Sequence, residues 1–211
     1  ILRDALSGKL QIGQRVIDVG TVTGRAAFLL ASRGAQVTGV DASEQMLAVA
    51  RRRAADRSAS IAFSVGDAQH LEFSDQAFDV GVSLRVLMHT PEWRTALAEL
   101  CRVSRRLVVF DYPSARGAAL VQSAARRILY ALGANTEPYR VFADRQIARA
   151  LADNGFRIRQ VHRQFTLPIA LHKTIGSRRF TVTAEGLLAR IGLSRLLGSP
   201  VTLAAERCPT S

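Results

Sequence analysis

Val16–Arg25 reads V-I-D-V-G-T-V-T-G-R, a hydrophobic strand that runs into a glycine-bearing turn and then opens a helix. A turn of this kind aims backbone N–H groups and a helix N-terminus at the charged end of a ligand. Asp41 closes the next apolar run, V-T-G-V-D-A-S, 21 residues after Gly20. A nucleotide-binding α/β fold puts the carboxylate that meets ribose hydroxyls at that position. A dinucleotide fingerprint, G-x-G-x-x-G, would need glycines at 22 and 25 when counted from Gly20. The chain has Val22 and Arg25 there, and instead carries Asp18 before Gly20 and Gly24 after it.

Outward from this stretch, short apolar runs at Val16–Gly20, Gln36–Val40 and Ile61–Val65 alternate with helical patterns at Arg25–Arg33 and Ser43–Asp56. Phe78–Leu84, a helix over Pro91–Val103 and Leu107–Phe110 continue the series, which predicts five parallel strands by residue 111. Ala115–Leu132 reads as helical. Asp144–Asn154 reads as a helix with Asp144 as its N-cap and Gly155 as its stop. Phe156–Phe165 and Pro200–Arg207 read as the last two strands. Residues 166–198 between them are too long for a hairpin turn and too apolar for a linker.

The length of 211 residues and a 48% hydrophobic content fit one domain with a sizeable core. The two cysteines, Cys101 and Cys208, have no neighbouring ligands at metal spacing, so neither a disulfide framework nor a metal site is expected. This points to a cytoplasmic setting. No uncharged apolar run is long enough to span a bilayer. The chain opens at Ile1, not at a methionine, and a preceding segment is expected. The net charge of +12 is uneven: residues 1–111 hold 14 basic against 12 acidic side chains, and residues 112–211 hold 15 against 5. This excess could be a solvated arginine-rich surface or could meet an anionic partner.

At Asp18–Gly24 the sequence resembles the class I S-adenosylmethionine-dependent methyltransferases, whose first motif runs D-x-G-x-G-x-G. V-G-D-A at Val65–Ala68 is similar to the family's third motif. F-D-V-G-V-S at Phe78–Ser83 is similar to its fourth strand, and L-A-E-L-C-R-V at Leu97–Val103 to the helix that follows. The match covers residues 10–112 well and the rest loosely. It implies a Rossmann-like, doubly wound, mostly parallel seven-stranded sheet with an antiparallel last strand, in a single domain over 1–211 with residues 166–198 as a helical cap insertion. It implies S-adenosyl-L-methionine as cofactor, with Asp18, Gly20, Thr21 and Gly24 around the methionine end. Asp41 and Ala42 would lie at the ribose, and Asp67 and Ala68 at the adenine. The family's middle glycine is Val22 here. A β-branched residue at positive φ is strained by on the order of 1 to 3 kcal/mol, which predicts a turn that avoids positive φ at this residue. R-V-S-R-R-L-V-V lacks the family's Pro-Gly-Gly turn, which predicts a tight helix-to-strand connection.

Methyl transfer from a sulfonium is an in-line displacement that depends mainly on alignment, so a dedicated base is needed only when the acceptor must lose a proton. His89, in L-M-H-T-P, could serve as that base or could fix the loop before Pro91. Arg85, Tyr139 and Arg140 are the candidate contacts to substrate, and Arg85 could equally be a surface arginine. The fourth strand ends Ser83-Leu84-Arg85, without the Asn/Asp-Pro-Pro-aromatic motif of base-methylating relatives, and no RNA-binding appendage is recognisable. Residues 166–198 interleave eleven large apolar residues with five basic ones. They are expected to form a mobile, largely helical cap over a small hydrophobic or anionic acceptor, such as a quinone precursor, an isoprenoid or a lipid, with peripheral contact to anionic membrane. RNA methylation and a catalytically silent binding protein are the alternatives.

Overall fold

The computed structural model describes residues 2–6, 8–116, 140–165 and 198–209. The strands are β1 (Arg15–Val19), β2 (Gln36–Asp41), β3 (Ile61–Val65), β4 (Phe78–Ser83), β5 (Ser104–Tyr112), β6 (Phe156–Phe165) and β7 (Ser199–Arg207). The helices are α1 (Leu2–Ala5), α2 (Arg25–Ala31), α3 (Glu44–Asp56), α4 (Trp93–Val103) and α5 (Asp144–Asp153). One seven-stranded sheet runs in the order β3-β2-β1-β4-β5-β7-β6. The first five strands pair in parallel, and β7 lies antiparallel between β5 and β6. This is the Rossmann-like, doubly wound arrangement expected from the sequence.

Alternation along the strands divides the apolar residues between the two faces of the sheet. Ile17, Val108, Phe110 and Leu203 pack with Trp93, Leu97 and Leu100 of α4 and with Ile147 and Leu151 of α5. Val16, Val80, Val82, Leu107 and Val109 pack on the other face with Ala27 and Leu30 of α2 and with Ala5 and Leu6. Each fully buried valine or leucine here contributes about 1.5 to 3 kcal/mol. The two layers hold the carboxyl ends of β1, β2, β4 and β5 in fixed register at one edge of the sheet.

Ser43 caps α3, its side chain accepting the Met46 N–H at 3.3 Å. The expected tight connection before β5 is immediate: α4 ends at Val103, and Ser104 begins the strand with its hydroxyl donating to the Leu100 carbonyl at 2.6 Å. The Arg207 guanidinium donates to the Cys101 and Ser104 carbonyls at 2.7 and 2.8 Å, satisfying the backbone of this abrupt corner. One capping expectation is corrected. Asp144 is the first helical residue of α5 and Ala143 is its N-cap. The Asp144 carboxylate is taken instead by Ser114 at 2.9 Å, Tyr112 at 3.2 Å and the guanidinium of Arg163. Burial pushes that carboxyl up, but hydrogen bonds from Arg163 and Ser114 outweigh the effect and hold it below the ordinary range.

Most of the helical reading of Ala115–Leu132 and nearly all of the cap insertion at 166–198 lie outside the described residues. Ala115 and Arg116, which are described, form a bend. No helix among the described residues is long and apolar enough to cross a membrane.

Candidate functional site

The site is built on the turn between β1 and α2. Gly20 sits at φ 72°, and a Cβ there would lie 2.1 Å from Cγ2 of Val86, so both backbone and space demand glycine. The N–H groups of Gly20 and Thr21 donate to the Val40 carbonyl at 2.8 and 3.0 Å, fastening the turn to β2. Gly24 is the N-cap of α2 at φ 84°, and its N–H donates to the Thr21 carbonyl at 2.8 Å.

Val22 overturns the expectation that this residue avoids positive φ, because it stands at 52°. The reason lies on the neighbouring strand: this conformation directs the Val22 N–H to Oδ2 of Asp41 at 2.8 Å. The side chain stays 48% exposed, so the β-branched residue meets a backbone penalty but little packing conflict. The other Asp41 oxygen, Oδ1, accepts the Ser43 N–H at 2.9 Å.

Asp18 is buried at the end of β1, and its Oδ2 accepts both the Thr21 hydroxyl at 2.7 Å and the Ala27 N–H at 3.1 Å. One carboxylate oxygen thereby pins the helix to the strand. Burial pushes the Asp18 carboxyl up to about 6, against these two hydrogen bonds, which favour the anion, and with a smaller upward push from Asp41. Asp67, exposed after β3, turns back on itself and accepts the Gln69 N–H at 2.9 Å.

These groups open onto a cleft of about 780 Å³ along the carboxyl ends of the strands, where open α/β sheets bind their ligands. Asp18, Gly20, Thr21, Asp41, Ala42, Asp67 and Ala68 line it together with Val22, and so do Arg85 and His89. Gly24, buried at the start of α2, is not among the lining residues. Both Arg85 and His89 are exposed, and the His89 N–H closes a turn on the Val86 carbonyl at 2.9 Å. Arg140 is spent on that same loop: its guanidinium donates to the Pro91 carbonyl at 2.9 Å and its N–H to the Met88 carbonyl at 3.2 Å. Tyr139 lies outside the described residues. Among the described residues no group of three or more His, Cys, Asp or Glu side chains could hold a metal ion.

The cleft wall also includes Asp111, at the end of β5, which the sequence reading missed. It is 6% exposed, and one of its oxygens accepts the N–H of Arg85, itself at φ 63°. Burial pushes its carboxyl above the ordinary range, with the Arg85 hydrogen bond opposing. The available signal was a single acid interrupting the apolar run L-V-V-F-D-Y, Leu107–Tyr112, at a strand end.

The donor set fits an adenosyl sulfonium ligand. The lining brings together the carboxylates of Asp18, Asp41 and Asp67, the left-handed turn that leads into α2, and an apolar wall of Val19, Ala26 and Leu29. Residues 16–106 match the family described as "Methyltransferase domain". The chain is 39% identical over 105 residues to the demethylmenaquinone methyltransferase of Thermus thermophilus, across 47% of this chain and 48% of that one. It is 37% identical over 108 residues to the O-methyltransferase cnsE of Penicillium expansum, across 48% of this chain and 39% of that one. The chain thus spans about half or less of the length of these relatives. In structure it is similar to the magnesium protoporphyrin IX methyltransferase of Synechocystis PCC 6803, solved with bound S-adenosylhomocysteine. The TM-score is 0.68 at 21% identity, covering 98% of this chain and 80% of that one.

Proposed function

We propose that the chain is a class I S-adenosylmethionine-dependent methyltransferase, as the match of residues 16–106 to the methyltransferase-domain family supports, and that it methylates a small, hydrophobic or anionic acceptor such as a quinone precursor, an isoprenoid or a related natural product. The observation that carries this reading is one continuous cleft, which runs from the turn at Gly20–Gly24, past Asp41 and Asp67, to Leu84, Arg85, His89 and Asp111. Bound S-adenosylmethionine supplies an activated methyl group on a sulfonium. The chain's own residues do the holding. Asp41 has its oxygens fixed by two backbone donors and keeps acceptor capacity for ribose hydroxyls. Asp67 and Ala68 border the adenine end, and Asp18, Gly20 and Thr21 the methionine end. His89 and Arg85 stand at the opposite rim, where an acceptor enters.

The names of the relatives support a small-molecule acceptor. The excess of arginine over residues 112–211 supports an anionic acceptor or a peripheral contact with anionic membrane in the cytoplasm. Titration calorimetry with S-adenosylhomocysteine tests the cofactor half of this reading. Saturable binding is expected, weakened by roughly 1.5 to 3 kcal/mol in Asp41→Ala, the range for a lost hydrogen bond to a charged group. No binding to the intact chain, or equal affinity in the variant, sinks it.

A further inference from the structure

Asp111 lies on the cleft wall beyond the cofactor residues, on a strand that contributes nothing to the cofactor turn. Three facts set it apart. It is almost fully buried yet borders the cleft. Among the described residues, one hydrogen bond reaches it from another residue, the Arg85 N–H on a single oxygen. Arg85 holds a left-handed backbone, a strained conformation for a non-glycine residue and one that aims its N–H at that carboxylate. A buried carboxylate with one oxygen oriented by the backbone and a cleft beside it is a prepared acceptor for a ligand's hydrogen-bond donor.

The ligand's donor is either a hydroxyl or an ammonium. The titratable side chains of the loop after β4 that line the cleft are Arg85 and His89, and Asp18 lines it at the end of β1, toward the methionine end. Arg85 lies close enough for its charge to act on Asp111, which disfavours a second cation and favours a neutral hydroxyl that becomes an oxyanion as it reacts. Burial also raises the proton affinity of the carboxyl above that of an exposed aspartate, the direction in which a general base is tuned. His89 is exposed at the rim and shares its solvent, whereas Asp111 is screened from it.

We propose that Asp111 is the acceptor-side base, and that the acceptor presents an apolar body with a phenol-type or enol-type hydroxyl to it. This rests on the methyltransferase reading above. In the step assigned to it, the acceptor oxygen forms the new bond to the methyl carbon and the carbon–sulfur bond breaks with its electron pair going to sulfur. The hydroxyl proton passes to the Asp111 carboxylate, so the sulfonium charge is cancelled by protonation of one carboxylate.

The test uses the full chain saturated with S-adenosylhomocysteine and two probes that differ only at oxygen, 1-naphthol and 1-methoxynaphthalene. Calorimetry is expected to show 1-naphthol bound about tenfold tighter, or about 1.4 kcal/mol. Asp111→Asn is isosteric and can still accept the Arg85 N–H. It should erase the preference while leaving the affinity for S-adenosylhomocysteine unchanged. With radiolabelled S-adenosylmethionine, transfer to 1-naphthol should fall in that variant by at least about 100-fold, the usual contribution of a general base. Equal affinity for the two probes, binding of neither, tighter binding of 1-naphthylmethylammonium, or a preference surviving in Asp111→Asn overturns the proposal. If Asp111→Asn loses S-adenosylhomocysteine as well, Asp111→Ala, which carries no acceptor, replaces it, and a preference retained there is equally fatal. Failure of the intact chain to bind S-adenosylhomocysteine instead brings down the methyltransferase reading beneath it.

Discussion

The two ends of the cleft are built by different means. At the proposed cofactor end, β1, β2 and the N-terminus of α2 lie within residues 15–43, and their polar groups satisfy one another: Thr21 and Ala27 on Asp18, Val22 and Ser43 on Asp41, Gly20 and Thr21 on Val40. At the acceptor end, the partners are far apart in sequence. Arg85 reaches Asp111, and Arg140 reaches Pro91. A site assembled from one supersecondary unit is stiff before any ligand arrives. A site assembled across the sheet takes its geometry from packing and can change its ligand without disturbing the fold.

The sharpest way to break this comparison is Gly20→Ala. A methyl group there would stand 2.1 Å from Cγ2 of Val86 and would hold a non-glycine residue at φ 72°. Backbone strain and overpacking together should cost about 4 kcal/mol of stability. Affinity for S-adenosylhomocysteine should fall along with it. Val86 belongs to the loop after β4, so this is a point at which the two ends touch. Denaturant unfolding with a loss below about 1 kcal/mol would show that Val86 yields freely and that the cofactor end is softer than described.

Asp18→Asn sharpens the contrast between carboxylates tied into the turn and the one facing the acceptor. The folded-state value for Asp18 is raised from 3.8 to about 6, so the folded protein holds this proton more tightly than the unfolded chain does. That contribution is complete below pH 3.8 and is lost as pH rises through about 6. The shift corresponds to about 3 kcal/mol. The stability of the native chain relative to Asp18→Asn should therefore decline by that order between pH 3.5 and 7. Taking the difference removes the opposite trends of Glu99 and Asp144, whose carboxyls are held low. A stability difference that stays flat across this range would place Asp18 in contact with solvent.

The same contrast governs what the sequence could reveal. The alternating strands, the turn at Gly20–Gly24 and the acid at Asp41 are local signals, because each element's pattern lies within a few residues of itself. The span of β6 followed from such signals, whereas the seven-stranded sheet with its antiparallel last strand and the abrupt corner at Ser104 came from the family resemblance. Asp144 was misassigned because a helix-start pattern does not reveal that Arg163, nineteen residues on, competes for the same carboxylate. Asp111 went unread because what matters about it is the Arg85 N–H 26 residues earlier and the cleft they share. His89 could be placed at the rim from its motif, but its exposure could not be read from residue type.

Val22 carries the smallest expected effect and tests where the stiffness of the cofactor end comes from. Its φ of 52° is unfavourable for a β-branched residue, by on the order of 1 to 3 kcal/mol. Glycine would relieve that strain but would lose about 0.5 to 1 kcal/mol to the greater freedom of the unfolded chain. Val22→Gly should therefore be more stable than the native chain by about 1 kcal/mol in denaturant unfolding. Affinity for S-adenosylhomocysteine is a separate matter. The N–H at this position already donates to Asp41 at 2.8 Å, and the exposed side chain leaves the wall beneath it intact. The gain in affinity should accordingly stay below tenfold, or about 1.4 kcal/mol. A gain larger than that would mean that valine distorts the turn in solution. Asp41 would then fail to hold the turn in register by itself, and the catalytically silent alternative would gain ground at the end of the cleft that the sequence describes best.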